Sequence, residues 1–156
     1  MRGKSLHTGK VSESAAEVTN MIEVTEEPIS PELVIDKARS DSSGCVITYV
    51  GLIRDYSQGK AVLAVEYHDS EGNAENTLRE IAREAKQRWQ IEDIAISHRV
   101  GQLRVGEINL VVAVASAHRS EGFTACQYVI GQFKERLPTE KTETYQNSSV
   151  LVEKVD

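Results

Sequence analysis

Ile94-Ala95-Ile96-Ser97-His98-Arg99-Val100 leads through Gly101 and Gly106 into Glu107-Ile108-Asn109-Leu110-Val111-Val112-Ala113-Val114-Ala115, and then into Ser116-Ala117-His118-Arg119-Ser120. Branched and small apolar residues fill both runs, so 94–100 and 107–115 read as two β-strands. Upstream, 44–54 is rich in Val, Ile, Tyr and Thr and reads as a strand with Arg54 at its exit. A polar loop follows over 55–60. A second alternating strand covers 61–68, and 69–72 turns the chain.

Helical spacing is confined to three places. Ser30-Pro31 offers a cap and a proline for a helix over 31–39. A longer helix over 74–90 places Leu78, Ile81, Ala82, Ala85 and Trp89 on one face, with Arg79, Glu80, Arg83, Glu84 and Arg88 on the wet one. The third should start just after Ser120, bury Phe123, Cys126, Ile130, Phe133 and Leu137, and stop at Pro138. Residues 139–152 are polar and then β-prone, an extended stretch ending in a short strand. Because strands and helices do not alternate regularly, the pattern favours an α+β fold, a mixed or antiparallel sheet with about three helices. Residues 1–28 are polar without a sustained period and are expected to form a disordered extension, leaving a single domain over 29–156.

The chain has 156 residues, enough for one domain with a substantial core. Its net charge of −6 argues against non-specific nucleic-acid binding, but not against a local basic pocket. No apolar run approaches the roughly 20 residues that span a bilayer. Met1 to Lys10 carries basic residues with no apolar core behind them, which is not a secretory signal, and a cytoplasmic location is expected. Cys45 and Cys126 lie in apolar segments and read as small buried hydrophobes of a reducing compartment.

Cations cluster where a strand hands over to the third helix and again at that helix's far end. At His118-Arg119-Ser120, a helix start offers free amides and a positive dipole end beside an arginine fork, three donors suited to phosphate. An ordinary surface arginine beside a partly buried histidine is the plain alternative. Lys134 and Lys141, on either side of Pro138, could simply complement a helix C-terminus, helped by Arg136. Gathered with His118 and Arg119, however, such an amine has its charged form disfavoured. It could then act as nucleophile or base, or stabilise developing negative charge if it stays protonated. His98 and Arg99 must point to opposite faces of their strand, so packing near a turn is the favoured role for that pair. Arg54 is better placed to reach a ligand. Tyr49, Tyr56, Tyr67 and Trp89 read as core or interface residues.

The ordered set Ile96-Ser97-His98-Arg99-Val100-Gly101-Gln102-Leu103, Gly106-Glu107, Ser116-Ala117-His118-Arg119-Ser120, and Lys134 with Lys141 resembles the large, catalytic subunit of molybdopterin synthase, over about residues 30–152. The resemblance implies a hammerhead-type α+β fold and a homodimer at the centre of a heterotetramer. Each end would receive a small ubiquitin-like carrier whose C-terminal Gly-Gly tail bears a thiocarboxylate. Two sulfurs would pass in turn to cyclic pyranopterin monophosphate, forming the dithiolene of molybdopterin, with no metal or redox cofactor. By the same resemblance, Lys134 and Lys141 would be the essential lysines, with Lys134 nearest the arriving tail. Arg54, His118 and Arg119 would hold the pterin and its phosphate, with donors drawn from both protomers. The chain ends Glu153-Lys154-Val155-Asp156, without a Gly-Gly tail, so the acceptor role is expected.

One departure stands out. Glu140 and Glu143 flank Lys141, where the family often has aromatic and basic residues, so local positive charge falls and a protonated Lys141 is favoured. They also keep open a different class of function, a non-catalytic dimeric module that binds a ubiquitin-like tail or a phosphorylated ligand. A third reading is an unrelated phosphate-ester enzyme using His118 as acid or base.

Overall fold

Period-two burial along the central strands builds the fold from the middle outwards. The computed structural model describes residues 21–136, 139–146 and 149–152. Among these, four strands form the first sheet: β1 (Met21–Thr25), β2 (Cys45–Leu52), β5 (Asp93–Arg99) and β7 (Ile108–Ser116), in the order β1-β5-β7-β2. β1 runs parallel to β5, while β5 and β2 flank β7 antiparallel. Ile94, Ile96, Leu110, Val112 and Val114 face one side and pack against two helices, α2 (Ala74–Arg88) and α3 (Arg119–Arg136). Ala95, Val111, Ala113 and Ala115 face the other side, where α1 (Pro31–Ala38) brings Val34 and Ala38. With both faces covered, these strands read as near-continuous apolar runs. Three alanines on the second face let α1 lie close to the backbone.

The second sheet is built from β3 (Tyr56–Ser57), β4 (Lys60–His68), β6 (Gly101–Arg104), β8 (Glu140–Tyr145) and β9 (Ser149–Val152). β4 is its hub, antiparallel to β3, β6 and β8, and β9 continues beyond β8. The chain passes from the first sheet to the second at Val100-Gly101, where Gly101 has φ +91° and Val100 N–H donates to Thr25 O at 2.8 Å. A β-branched residue would be strained at that backbone angle, so glycine is what permits the crossing. A small core of Ile53, Val62, Val65, Tyr67, Leu103 and Tyr145 lies on one face of this sheet.

The α+β class, the three helices and the four longest strands agree with the sequence. Several details differ. Order does not begin at Ile29: β1 occupies 21–25, inside the stretch expected to be an extension, because Ile22 is buried in the main core and Val24 packs against it. Residues 1–20 lie outside the described residues. The loop expected over 55–60 contains the two-residue strand β3 and its hairpin turn, with Gln58 and Gly59 at positive φ. β6 was not anticipated. α3 starts at Arg119, which places Ser120 inside its first turn and not ahead of it.

Phe123 is 59% exposed, against the expectation that it joins the buried stripe. The stripe is Gly122, Ala125, Cys126, Val129 and Phe133. A Cβ on Gly122 would meet Ser116 Oγ at 2.7 Å and Ile47 Cγ1 at 3.0 Å. That close approach turns Gly122 toward the sheet, and a step of about 100° then carries Phe123 outward. Leu137 and the stop expected at Pro138 lie outside the described residues. Cys126 is buried, which pushes its thiol up to about 11; Cys45 is partly buried, near Ser116, and both are free.

Candidate active site

Alternation along β8 decides which side chains enter the seam between the two sheets. Lys141, Glu143 and Tyr145 are buried on one face, while Glu140 on the other is exposed. Lys141 is paired in register with Tyr67 of β4, and its Nζ lies 5.9 Å from the centroid of that ring, within cation–π range. Around it opens a cleft of about 260 Å³. β2 and β7 line one wall with Tyr49, Asn109 and Leu110; the second sheet lines the other with Ser57, Val65, Tyr67, Lys141 and Glu143. Arg54, beyond the end of β2, and Lys134, in the last turns of α3, complete it with Phe133.

The electrostatics of the cleft centre on Lys141. It is only 8% exposed, and burial pushes its amine below the usual lysine range, with the charges of Arg54 and Lys134 acting in the same direction. Glu143 opposes this through an ion pair of 3.2 Å from Nζ to Oε1. Burial alone would raise the Glu143 carboxyl, but donation from Tyr145, Lys141 and Ser57 outweighs it and holds the group below the ordinary glutamate value. Ser57 Oγ donates to Oε1 at 3.2 Å, and the Tyr145 hydroxyl donates to Oε2. The buried carboxylate is therefore satisfied on both oxygens, which is the condition for keeping a buried charge. Glu143 thus meets Lys141 as the sequence suggested; Glu140, exposed on the opposite face of the strand, does not. Three cations against one paired carboxylate leave the cleft positive although the whole chain is acidic, and a field of that kind gathers anions.

The end of α3 that carries Lys134 is clamped to α2. Arg136 Nη1 donates to Glu84 Oε2 at 2.5 Å, and the Tyr128 hydroxyl donates to the same oxygen at 2.9 Å. Arg136, read from the sequence as a dipole partner, is thus an inter-helix tie that fixes where Lys134 emerges.

His118 and Arg119 are elsewhere. Both are exposed at the start of α3, and Arg119 lies about 22 Å along the helix from Lys134 at 1.5 Å per residue. One chain brings together Arg54, Lys134 and Lys141 but not His118 or Arg119. Their local turn is well defined all the same: Ser116 Oγ donates to His118 O at 2.6 Å, and Gly44 packs directly beneath Ala117.

The sequence assigns no ligand role to Tyr67 and no role at all to Asn109; the two meet only through the fold, where Asn109 Nδ2 donates to the Tyr67 hydroxyl at 3.0 Å. Burial pushes Tyr67 up to about 12, so it remains a neutral hydroxyl. Tyr67, a core or interface residue by sequence, is both core and cleft wall. No local signal announces Asn109; only its alternation with Leu110 on β7 hints at a face. Among the described residues, no helix is long and apolar enough to cross a membrane.

The family model described as MoaE protein matches residues 24–136. The molybdopterin synthase catalytic subunit of Thermoplasma volcanium is 35% identical over 132 residues, covering 85% of this chain and 96% of that one. The catalytic subunit of Arabidopsis thaliana is 36% identical over 141 residues, covering 89% and 71%. The crystal structure of molybdopterin synthase from Staphylococcus aureus superposes with a TM-score of 0.80 at 29% identity, covering 84% of this chain and 96% of that one. The chain belongs to the MoaE family, the catalytic subunits of molybdopterin synthase. Its α+β architecture is the one found in that crystal structure, and its place is in molybdenum-cofactor biosynthesis.

Proposed function

We propose that the cleft between the two sheets transfers sulfur from the thiocarboxylated C-terminus of a small ubiquitin-like carrier to cyclic pyranopterin monophosphate. The observation that carries this reading is the grouping of a buried Lys141 with Lys134 and Arg54 in one cleft of net positive charge. Both reactants are anionic, a thiocarboxylate and a cyclic phosphate, and they repel each other in water. Fixed cations offset that repulsion, and holding the two in attack geometry supplies a large part of the rate. Lys134, exposed at the rim, meets the incoming carrier tail. Lys141, deeper and held charged by Glu143, stabilises the negative charge that develops during transfer. Arg54 takes the phosphate together with His118 and Arg119 of a second copy of the chain, since one chain keeps those two residues at the far end of α3.

The test supplies thiocarboxylated carrier and cyclic pyranopterin monophosphate and measures molybdopterin. Lys134→Ala is expected to abolish product while self-association and carrier binding persist; unimpaired turnover removes the assignment. The pairing of Lys141 with Glu143 favours a second reading, a module that docks the tail without turnover. Complex formation by the wild-type chain with no product would support it.

A further inference from the structure

We propose that His98 is a positioning residue for the two lysines, tying the end of α3 that carries Lys134 to the strand pair that carries Lys141. The inference rests on the cleft being the sulfur-transfer site. His98 is completely buried on β5 between its strand neighbours Val24 and Leu110 and does not line the cleft, yet its ring contacts lead toward both lysines. Its ring is edge-on to Tyr67 at 5.0 Å and 82°, and Tyr67 is the register partner of Lys141. It is also edge-on to Phe133 at 4.9 Å and 79°, and Phe133 precedes Lys134.

The ring nitrogens repeat the pattern. Nδ1 lies 2.9 Å from Asn109 O, and a carbonyl can only accept, so Nδ1 carries the proton. Asn109 in turn holds the Tyr67 hydroxyl. Burial drives His98 down to about 4, so the ring is neutral and Nε2 accepts from the Thr139 hydroxyl at 3.5 Å. Thr139 lies two residues before Lys141. Phenylalanine or leucine could fill this space without the cost of burying a polar ring. Histidine instead directs one nitrogen to β7 and the other to the segment entering β8. Four elements are thereby fixed relative to one another: β7, β4, α3 and the approach to β8. The spacing between the two amines depends on all but the first directly.

His98→Phe keeps the ring volume and removes both nitrogens. With the full chain, thiocarboxylated carrier and cyclic pyranopterin monophosphate, kcat is expected to fall about tenfold while the KM for carrier stays within about twofold, because small misplacements of reacting groups act on the chemical step. With kcat counted per folded molecule, a loss that only tracks the folded fraction would overturn the inference, as would a KM for carrier that rises in step with any fall in kcat. Should His98→Phe not fold, Thr139→Val decides. It removes only the Nε2 partner, and a fall in kcat of about threefold is expected; no change would overturn the inference. An active wild type with indifferent variants removes the positioning role alone. A wild type that makes no product takes the sulfur-transfer reading with it.

Discussion

The two sheets of this molecule solve different problems with the same strand geometry. The first is covered on both faces by helices, and its inward positions are almost all aliphatic or alanine. The second turns Lys141, Glu143 and Ser57 inward beside Tyr145 and Tyr67, so its buried face includes an ion pair and the hydroxyls that support it. Apolar burial stabilises the first sheet through a term that involves no protonation. The second sheet carries groups whose stabilisation depends on protonation and on the presence of each partner. Stability and chemistry are thus assigned to separate sheets, and the cleft forms where they meet.

Acid should expose a place where this division fails. His98 is an ionisable group within the first sheet, with a folded value of about 4 against 6.5 when free. The unfolded chain therefore binds a proton over that window and the folded chain does not, so stability is lost as pH falls from 6.5 toward 4. The loss is about 3 kcal/mol, at about 1.4 kcal/mol per unit. Denaturant unfolding measured across this range checks it, and the His98→Phe chain should show no such slope above about pH 5. Below that, carboxylates with lowered values, Glu84 and Glu143 among them, add their own loss.

A second challenge goes to the end of the first sheet that holds the turn into α3. A Cβ on Gly44 would lie 2.1 Å from Ala117 O, a backbone atom that cannot swing aside. Gly44→Ala should cost about 2 kcal/mol of unfolding free energy, in the range of overpacked cores. Turnover per folded molecule should fall as well, because Ala117 leads directly into His118 and Arg119, the residues assigned to the phosphate. An unaltered denaturation midpoint would mean that β2 and the turn separate more easily than their packing suggests.

The remaining test addresses the second sheet and is read in pH dependence. Glu143→Gln removes the anion that holds Lys141 in its charged form against burial and against Arg54 and Lys134. The amine then loses its proton at lower pH, so the alkaline limb of the pH–rate profile should move to lower pH. A limb that does not move would show that the protonated amine is not the working form.

The three helices were legible because each repeats its apolar spacing for about two turns or more, and the four long strands because β-branched and small apolar residues fill them. β1, β3 and β6 were not, because each is five residues or fewer and owes its strand conformation to a partner elsewhere in the chain. Met21-Ile22-Glu23-Val24-Thr25 does alternate, but within a polar stretch only its pairing with β5 gives that alternation a face to bury. In the site, Arg54, Lys134 and Lys141 were readable from residue type and position relative to strand and helix ends. Tyr67 and Asn109 were not, since their relation crosses 42 residues. His118 and Arg119 were correctly placed at a strand-to-helix handover, and it is the length of α3 that holds them away from the lysines.

β8 presents its lysine, glutamate and tyrosine at every second position, so the cleft depends on the phase of this strand against β4. Slipping it by a single residue would rotate Glu140, Thr142 and Thr144 inward and turn the amine of Lys141 out to water. The local irregularity between Val62 and Ala64 in the pairing of β4 with β8 lies at the Tyr145 end of the ladder, away from Lys141 and Tyr67. A one-residue deletion in the stretch entering β8 could therefore leave a well-folded protein with an inverted cleft.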